Sequence, residues 1–370
     1  MSTLNTLFER YGQSPWLEVT GSDHPGDEGW SRALAQGVRG ATVRHGSLAR
    51  ALSTSERYDG LFADAKARNA SQLAEALMVQ DARTLCDELE SLYHQSRVAF
   101  RERSLRYCDG LVTLEVAPTF GHDRAALVAA AARVAGAVQR PNVVVSIAAT
   151  PEGLAAVSEV LGAGISVNVT LVNSLSRYEQ AFDAWLAGVE LAIENGVDVG
   201  AVACTISVAM APIDAVYDSL MHRHDKRRGT SAVSTVAGIY RRFRKRIVGR
   251  RETSLLGRGV QVPRPLWTSM TPTDRTFFDL LYVNHVAAFE TVATFSRSTM
   301  DLVLDHGDFA GSLLATPRRI KTTSFLVKDL PRSFSHPAIA NKLDGDELAG
   351  AQRDYEALTD AVLKKMPRHP

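Results

Sequence analysis

The chain has 370 residues, 45% of them hydrophobic and 22% charged, with a formal net charge of +1. This is the composition of an ordinary globular protein, and the even charge gives no indication of binding to nucleic acid or to a membrane surface. The sequence has no run of about 18 apolar residues, so we predict no transmembrane helix.

The N-terminus and the cysteines indicate a cytoplasmic protein. The first residues, MSTLNTLFERYGQSPW, show no basic segment followed by an apolar one, as a secretory signal would. The three cysteines, Cys86, Cys108 and Cys204, are odd in number and widely spaced. This spacing fits a reduced protein better than a disulfide framework or a zinc site, and we expect neither a metal nor a cofactor.

Short apolar runs alternate along the chain with longer segments of helical periodicity. The predicted strands are Trp16–Thr20, Gly40–Val43, Val112–Val116, Val143–Ala149, Ile165–Val172, Ala201–Val208, Pro265–Met270 and Leu280–Val283. The clearest predicted helices between them are Asp123–Gln139, Glu152–Gly162 and Leu175–Asn195. Alternating strands and helices are typical of a parallel sheet, and eight repeats predict an α/β fold closed into a (β/α)8 barrel.

Two segments exceed this minimal unit. Residues 49–110 have room for about two extra helices between the second and third strands, and residues 335–370 form a helical segment that ends with Tyr355–Lys365. Barrels of this kind often exceed about 250 residues, so we expect residues 1–370 to form a single domain.

Four blocks of sequence resemble the transaldolase family, particularly its long bacterial form. They are DGLVTLEVAPTFGHD (109–123), RPNVVVSIAATPEGLAAV (140–157), GISVNVTLVNSLSRYEQAFDAWLAGVE (164–190) and RPLWTSM (264–270). Residues 281–307 resemble the last strand of that family's barrel and the helix after it. The resemblance implies the transaldolase type of barrel, but it does not settle the activity, because function depends on the site.

The resemblance implies a lysine on the fourth strand, and this chain has none there. In the family that amine attacks a ketose phosphate and forms a Schiff base, and the strand reads approximately KIPAT. Here it reads Ser146-Ile147-Ala148-Ala149-Thr150, and a serine hydroxyl cannot form an imine. None of the eight lysines falls on a predicted strand or between residues 67 and 225; they are Lys66, Lys226, Lys245, Lys321, Lys328, Lys342, Lys364 and Lys365.

Other family positions differ too. The acid–base aspartate of strand one corresponds to Glu18, and an asparagine after strand two corresponds to Arg44. A serine on strand six corresponds to Cys204, and the arginine that grips the substrate phosphate corresponds to Ala209. The second phosphate contact is lost after strand seven, although Arg275 is near enough in sequence to take its place.

Four positions match the family outright: Glu115, Asn168, Thr170 and Ser269. In the family, the glutamate and the threonine hold a water molecule that carries protons. A carboxyl group inside a barrel is expected to have a raised pKa, which suits Glu115 to acid–base catalysis. The alternative is a structural ion pair between Glu115 and Arg44.

The remaining candidates each have a functional and a structural interpretation. Arg44 and His45 lie after strand two, where they are expected to bind an anionic substrate and carry protons, or else to be a solvated arginine and a helix cap. Ser146 is interpreted as a hydrogen-bonded replacement for the lysine rather than as a nucleophile. Cys204 is a candidate substrate contact because the resemblance aligns it with the strand-six serine, but a small buried residue is favoured over a reactive thiolate. Asn168 and Thr170 alternate on one strand, so both are expected to face the barrel interior.

One segment breaks the even charge of the chain. Between His222 and Arg251 there are eleven Lys or Arg residues and a single acid, Asp225. A helical face that carries Arg241, Arg242, Arg244 and Lys245 is either a docking surface for an acidic partner, such as an acyl carrier protein, or an ordinary solvated surface.

Three hypotheses follow for the function. The first is a repurposed enzyme of a specialised, secondary metabolic pathway that performs isomerisation, dehydration or cyclisation on a small polar or carrier-bound substrate. Its catalytic residues are Glu115, Glu18, His45 and Thr170, and its binding residues are Arg44, Asn168, Ser146, Cys204 and Ser269. The second is an inactive barrel that binds a partner through the basic 222–251 face. The third is a genuine transaldolase that acts on sugar phosphates.

Overall fold

Eight parallel strands close into a barrel in the computed structural model, which describes residues 2–19, 27–63, 69–102, 106–314 and 336–366. In chain order the strands are β1 (Gln13–Glu18), β2 (Gly40–Val43), β3 (Leu111–Glu115), β4 (Val143–Ala148), β5 (Val167–Thr170), β6 (Cys204–Ala209), β7 (Arg264–Thr268) and β8 (Thr291–Phe295). Each strand pairs with its neighbours in sequence, and β8 pairs with β1. The predicted (β/α)8 barrel is confirmed.

Helices surround the barrel and fill the two predicted insertions. They are α1 (Thr3–Tyr11), α2 (Glu28–Ala35), α3 (His45–Thr54), α4 (Asp59–Ala63), α5 (Ala70–Glu88), α6 (Glu90–Arg101), α7 (Arg124–Val138), α8 (Pro151–Gly162), α9 (Leu175–Glu194), α10 (Met210–Ser219), α11 (Ser231–Arg246), α12 (Arg250–Gly257), α13 (Arg297–His306) and α14 (His336–Lys365). Within the described residues, no helix is both long enough and apolar enough to cross a membrane.

Local sequence fixes where these helices begin. At α9, the side chain of Ser174 accepts a hydrogen bond from the backbone N–H of Arg177, which satisfies one of the free donors of the first turn. The apolar face of α9, which includes Tyr178, Phe182 and Trp185, is buried against the barrel. The predicted helix over Leu175–Asn195 is therefore confirmed to within one residue at its end.

The eighth predicted strand, Leu280–Val283, is wrong. Leu280, Tyr282 and Val283 are buried, but they lie in a turn before β8, which is formed by Thr291–Phe295. An apolar run is typical of any buried segment, and only the hydrogen-bonding partners distinguish a strand from a packed turn. The residues of the last strand that pair with β1 begin at Thr291, eight residues after the end of the predicted strand.

The strand register places polar side chains in one inward-facing row. Glu115 is opposite Ser146, Ser146 is opposite Asn168, and Asn168 is opposite Thr205. Residues paired in this way point to the same side of the sheet, while the alternate residues, such as Val145 and Val169, are buried against the helices. Chemistry-bearing side chains from four consecutive strands therefore meet inside the barrel.

The last helix, α14, lies across the mouth of the barrel. The ring of Tyr355 packs edge-on against His45 with the centroids 5.2 Å apart, and the Nζ atom of Lys365 donates to the backbone oxygen of Ser55 at 2.9 Å. Leu343, Leu358, Val362 and other apolar residues of α14 are buried in the main core. The C-terminal helix is thus a packed part of the barrel and covers the ends of the strands.

A buried ion cluster stabilises the opposite end of the barrel. The Asp109 carboxylate is fully buried and accepts hydrogen bonds from Ser14 at 2.7 Å, from Arg39 at 2.7 Å and from Arg264 at 2.9 Å. Burial alone would raise the pKa of Asp109, but Arg264 and Arg39 hold it below the usual value. Arg264 in turn donates to the backbone oxygen of Thr291 at 2.7 Å, so the cluster joins β1, β7 and β8.

We expect Asp109→Asn to lower the free energy of unfolding by about 3–5 kcal/mol, because it leaves the buried Arg264 guanidinium without its counter-ion. Urea denaturation measures this change. The matched control is Asp183→Asn, which removes an exposed partner of Arg246 and should cost less than about 1 kcal/mol. Equal small losses for the two variants would show that the cluster does not stabilise the barrel.

Candidate active site

A cavity of about 540 Å³ lies at the carboxyl ends of the strands, beneath α14. This volume is within the range of small-molecule sites, and the position is the one where barrel enzymes carry their active sites. Strand ends supply one wall of it. From them the lining includes Glu18, Thr42, Arg44, His45, Glu115, Ser146, Ala148, Asn168, Thr170, Ser207, Ala209, Thr268, Ser269 and Thr294.

Arg44 is the centre of the charged part of this cavity. Its Nε atom donates to Glu115 Oε1 at 3.2 Å, and its Nη1 atom lies 3.7 Å from Glu18 Oε2. The Glu115 carboxylate raises the pKa of Arg44 above its usual value; burial lowers it in part, and Glu18 raises it further. Arg44 is therefore a fixed cation with 38% of its side chain still exposed, available to a ligand.

Glu115 is an anion in this arrangement, which corrects the expected raised pKa. Its Oε2 atom accepts from the backbone N–H of His45 at 3.0 Å and lies 3.0 Å from His45 Nδ1. Burial by itself would raise the pKa of Glu115, but Arg44 and the contacts with His45 lower it to about 2. These contacts match the alternative interpretation, an ion pair of Glu115 with Arg44. Glu115 also orients both Arg44 and His45.

Glu18 has fewer close contacts than Glu115, the other carboxylate at a strand end of this cavity. It accepts one hydrogen bond, from Ser47 Oγ at 2.7 Å, and its remaining contacts are with Arg44 and Arg50, each at 3.7 Å. With 21% of its side chain exposed, Glu18 faces the cavity directly. It is thus free to accept a proton from a bound molecule without first breaking a close ion pair.

Ser146 occupies the inward position on β4 and is held by neighbouring polar groups. Asn168 Nδ2 donates to Ser146 Oγ at 3.1 Å, while Asn168 Oδ1 accepts from Thr205 at 2.9 Å and from Ser207 at 2.6 Å. In this network Ser146 Oγ accepts a hydrogen bond from an amide, and among the described residues no basic side chain hydrogen-bonds to it. That Ser146 replaces the family's lysine stays a prediction from the resemblance.

Thr170 and Ser269 also line the cavity, and both lie at strand ends with an unusual backbone nearby. Ser269 has φ 51°, and Leu171, directly after Thr170, has φ 59°. Non-glycine residues in this left-handed region are costly and concentrate at functional sites.

All the predicted catalytic and binding residues but one line this single cavity. The exception is Cys204. It lies on β6, but the inward residues of that strand are Thr205, Ser207 and Ala209, so the Cys204 side chain points outward into the core and is 3% exposed. Burial raises the pKa of its thiol, which keeps it neutral. Cys204 therefore does not make the expected substrate contact, because the alternation of side chains along β6 turns it away from the cavity.

No lysine lines the cavity among the described residues. Of the lysines that the structure describes, Lys342 is paired with Asp346, and Lys365 with Asp59, while Lys226 and Lys245 belong to the basic segment and Lys364 is exposed on α14. Lys66, Lys321 and Lys328 lie outside the described residues. On the wall formed by the strands, the position that the resemblance assigns to the family's amine carries Ser146.

The positions that the resemblance assigns to the phosphate contacts bring no arginine to the described lining. Ala209 lines the cavity where the family's arginine is expected, and Arg275 is exposed and absent from that lining. A second guanidinium comes instead from Arg353 of α14. Two arginines thus stand among five carboxyl groups of the described lining, which are Glu18, Glu115, Asp346, Glu347 and Asp354.

The contribution of α14 was not predicted from the sequence. Leu343, Glu347, Ala351 and Asp354 recur at helical spacing and face the cavity. This periodicity is visible in the sequence, but nothing in it shows which surface the helix covers. Glu347 is the most unusual member, because burial raises its pKa to about 7, with Asp344 adding to the effect and Asn173 and Arg44 opposing it.

The basic face is largely neutralised by the barrel's own acids. Arg242 contacts Glu179 at 2.7 Å, and Arg244 contacts Glu290 at 2.9 Å. Arg246, on the same helix, contacts Glu179, Asp183 and Glu252. Arg241 and Lys245 are exposed. These pairs leave less free charge for an acidic partner than the sequence indicates, and docking at this face remains a prediction.

Among the described residues, no group of three or more His, Cys, Asp or Glu side chains is arranged to hold a metal ion. The functional groups at hand in the cavity are thus a fixed guanidinium, several carboxyl groups and a row of hydroxyl and amide groups. Such a set can polarise a carbonyl, move protons and bind hydroxyl groups.

Comparison with known proteins agrees with this architecture. The model of the family described as Transaldolase/Fructose-6-phosphate aldolase matches residues 31–362. The chain is 32% identical over 336 residues to Transaldolase 1 of Streptomyces coelicolor, with 89% of this chain and 86% of that protein covered. It is 31% identical to the transaldolase of Frankia alni, covering 82% and 81%, and 34% identical to that of Saccharopolyspora erythraea, covering 74% and 73%.

The lowered pKa of Glu115 predicts how its contribution to stability depends on pH. A carboxyl group with a lower pKa in the folded chain stabilises the fold above its ordinary pKa of 4.5, and this stabilisation is lost as the pH falls towards about 2. We expect Glu115→Gln to cost about 2–3 kcal/mol at pH 7 and progressively less below about pH 4.5. Denaturation curves across this range measure it, with Glu28→Gln on the exposed face of α2 as the control. A cost that does not change with pH would contradict the assigned ion pair.

Proposed function

The chain belongs to the transaldolase/fructose-6-phosphate aldolase family, and we propose that it uses the family's barrel for proton transfer rather than for Schiff-base chemistry. Its substrate in this proposal is a small hydroxylated carbonyl compound without a phosphate group. The reaction class is an acid–base isomerisation, or a dehydration or cyclisation that begins in the same way.

One observation carries the proposal: Ser146 stands inward on β4, bonded to Asn168, in the position where the resemblance implies the imine-forming lysine. A hydroxyl group cannot form an imine with a ketone, so the electron sink of the aldol reaction is missing from this wall. The relatives named transaldolase favour retention of that activity, and Ser146 is the reason that we do not carry it over to this chain.

The charges of the cavity support a substrate without phosphate. The alanine at position 209 provides no cation, and the guanidinium of Arg44 is already shared by Glu115 and Glu18. A phosphate dianion would enter a lining in which carboxyl groups outnumber arginines, which is costly in a partly enclosed site. A neutral, hydroxyl-rich molecule meets no such penalty and finds hydrogen-bonding partners in Ser146, Asn168 and Thr170, which line the cavity.

The remaining groups suit removal of a proton next to a carbonyl. Arg44 can stabilise the negative charge that develops on the carbonyl oxygen, because Glu115 holds it in place before the substrate binds. Glu18 accepts the carbon-bound proton, since it faces the cavity with only one hydrogen bond from Ser47. The proton from carbon then resides on Glu18, and the electron pair moves into the carbon–carbon double bond of an enediolate.

The proposal also includes a metabolic role and a partner protein. A role in a specialised pathway fits a family member that has lost two kinds of family residue, the amine and the phosphate contacts. An acidic carrier protein remains a proposed partner only through the exposed Arg241 and Lys245, because the neighbouring cations are occupied by Glu179 and Glu290.

The proposal predicts exchange of carbon-bound hydrogen with solvent. Dihydroxyacetone, erythrulose and fructose are incubated with the protein in D₂O, and loss of the C–H signal next to the carbonyl is followed by ¹H NMR. We expect catalysed exchange with at least one of these ketones, reduced about 100-fold or more by Glu18→Gln because the base is removed. The surface variant Glu28→Gln should exchange at the wild-type rate.

Exchange at the protein-free rate with all three ketones would overturn the proposal. So would wild-type exchange that Glu18→Gln leaves unchanged, since another group would then be the base. Both variants are checked for a normal thermal unfolding transition, so that loss of exchange is not mistaken for loss of the fold.

A further inference from the structure

The cavity has a second ionisable wall, formed by one face of α14, that the family resemblance did not assign to the site. The long helix runs from His336 to Lys365, and its lining residues come from consecutive turns. Its position is fixed at several points, including the ion pair of Arg177 with Asp344 at 3.0 Å and the contact of Lys365 with Asp59 at 2.5 Å. A group on this face therefore has a defined place over the substrate.

Glu347 lies on that face, and its surroundings differ from those of the other carboxyl groups. Its Oε2 atom accepts from Asn173 Nδ2 at 2.7 Å, and the same amide nitrogen lies 3.3 Å from Asp344 Oδ1. A neutral amide compensates a negative charge less than a guanidinium does. The nearest arginine of α9, Arg177, is engaged by Asp344 rather than by Glu347.

Of the charged groups among the described residues, two have the largest influence on the Glu347 carboxyl. From its own helix, the Asp344 carboxylate disfavours a second negative charge, and from the end of β2, Arg44 favours one more weakly. Burial is the largest influence, and together these raise the pKa of Glu347 to about 7. At neutral pH a substantial fraction of the molecules therefore carry the proton on Glu347, although Glu115 in the same cavity is fully ionised.

Two carboxyl groups of one cavity thus have pKa values pushed in opposite directions by different neighbours. Arg44 and His45 lower that of Glu115 to about 2, and burial beneath α14 raises that of Glu347. Such divergence identifies the acid and the base in many enzymes. Because Glu115 and Glu347 line the same cavity, a substrate held by Arg44 lies between the strand ends and the helix.

We propose that Glu347 is the general acid of this site, so that α14 is part of the catalytic apparatus and not only a cover. This inference rests on the proposed proton-transfer function. When Glu18 removes the proton from carbon, the Glu347 carboxylic acid gives its own proton to the carbonyl oxygen. The substrate becomes a neutral enediol, Glu347 becomes a carboxylate and Glu18 a carboxylic acid; the reverse transfers restore both groups.

The test compares Glu347→Gln with Glu356→Gln, the same change at an exposed glutamate of α14 that lies outside the cavity lining and accepts a hydrogen bond from Gln352. Exchange of dihydroxyacetone protons in D₂O is measured for the wild type and both variants from pH 5 to 9. We expect wild-type kcat to fall as the pH rises through about 7, because the acid form of Glu347 is lost. Glu347→Gln should lower kcat about 100-fold with little change in KM and should remove this fall, while Glu356→Gln should keep both the rate and the profile.

A second readout does not depend on activity. Protein labelled with ¹³C at the glutamate side-chain carboxyl carbon is titrated by NMR, and the Glu347 resonance is assigned from its loss in Glu347→Gln. We expect a titration near pH 7. A midpoint near 4.5 would overturn the inference whether or not the wild type catalyses exchange.

The outcomes separate this inference from the function on which it rests. If the wild type exchanges and Glu347→Gln keeps its rate and pH profile, the general acid is elsewhere and the proton-transfer function stands. If the wild type does not exchange, the proposed function fails for these ketones, and with it the catalytic role of Glu347, even if its titration is near 7. Equal losses in Glu347→Gln and Glu356→Gln, with equal falls in thermal stability, would show that α14 has only a structural role.

Discussion

The site depends on one interaction, the ion pair of Arg44 with Glu115 at the barrel mouth. The pair orients His45 through its backbone N–H, holds the guanidinium towards the cavity, and lowers the pKa of Glu115 so that it stays ionised. Without Arg44, the partly buried Glu115 carboxylate on β3 would lose its counter-ion, which is unfavourable. Arg44, at the position that the resemblance assigns to an asparagine of the family, thus supplies the cation that sets the electrostatics of this part of the cavity.

The barrel shows how a family fold can retain its framework while its site changes. The inward row from Glu115 through Ser146 and Asn168 follows the strand register, and Asn168 hydrogen-bonds to Ser146, Thr205 and Ser207. The ion cluster around Asp109 joins the strands at the opposite end of the barrel, away from the cavity. Separation of a stable end from a variable end is what allows barrels to support many reactions.

Much of the fold was predictable because buried parallel strands are short apolar runs, and seven of the predicted strands overlap observed ones. The first, predicted over Trp16–Thr20, is observed over Gln13–Glu18, and Thr20 lies outside the described residues. The eighth was not predictable, because Leu280–Val283 is as apolar as a strand but packs as a turn. Alternation predicted the inward positions of Asn168 and Thr170, whereas family alignment alone misplaced Cys204. The pKa of Glu115 and the role of Glu347 depend on contacts between distant segments, with Arg44 and with Asn173, which local sequence patterns do not contain.

Reductive trapping decides whether this chain performs imine chemistry. The protein is incubated with dihydroxyacetone or fructose 6-phosphate, borohydride is added, and the intact mass is measured beside a genuine transaldolase and the variant Ser146→Lys. We expect an unchanged mass for the wild type and an adduct for the genuine transaldolase; an adduct in Ser146→Lys would further show that only the amine is missing. An adduct on the wild-type chain, mapped by peptide analysis to any of its lysines, would show that an imine forms and would restore aldol chemistry.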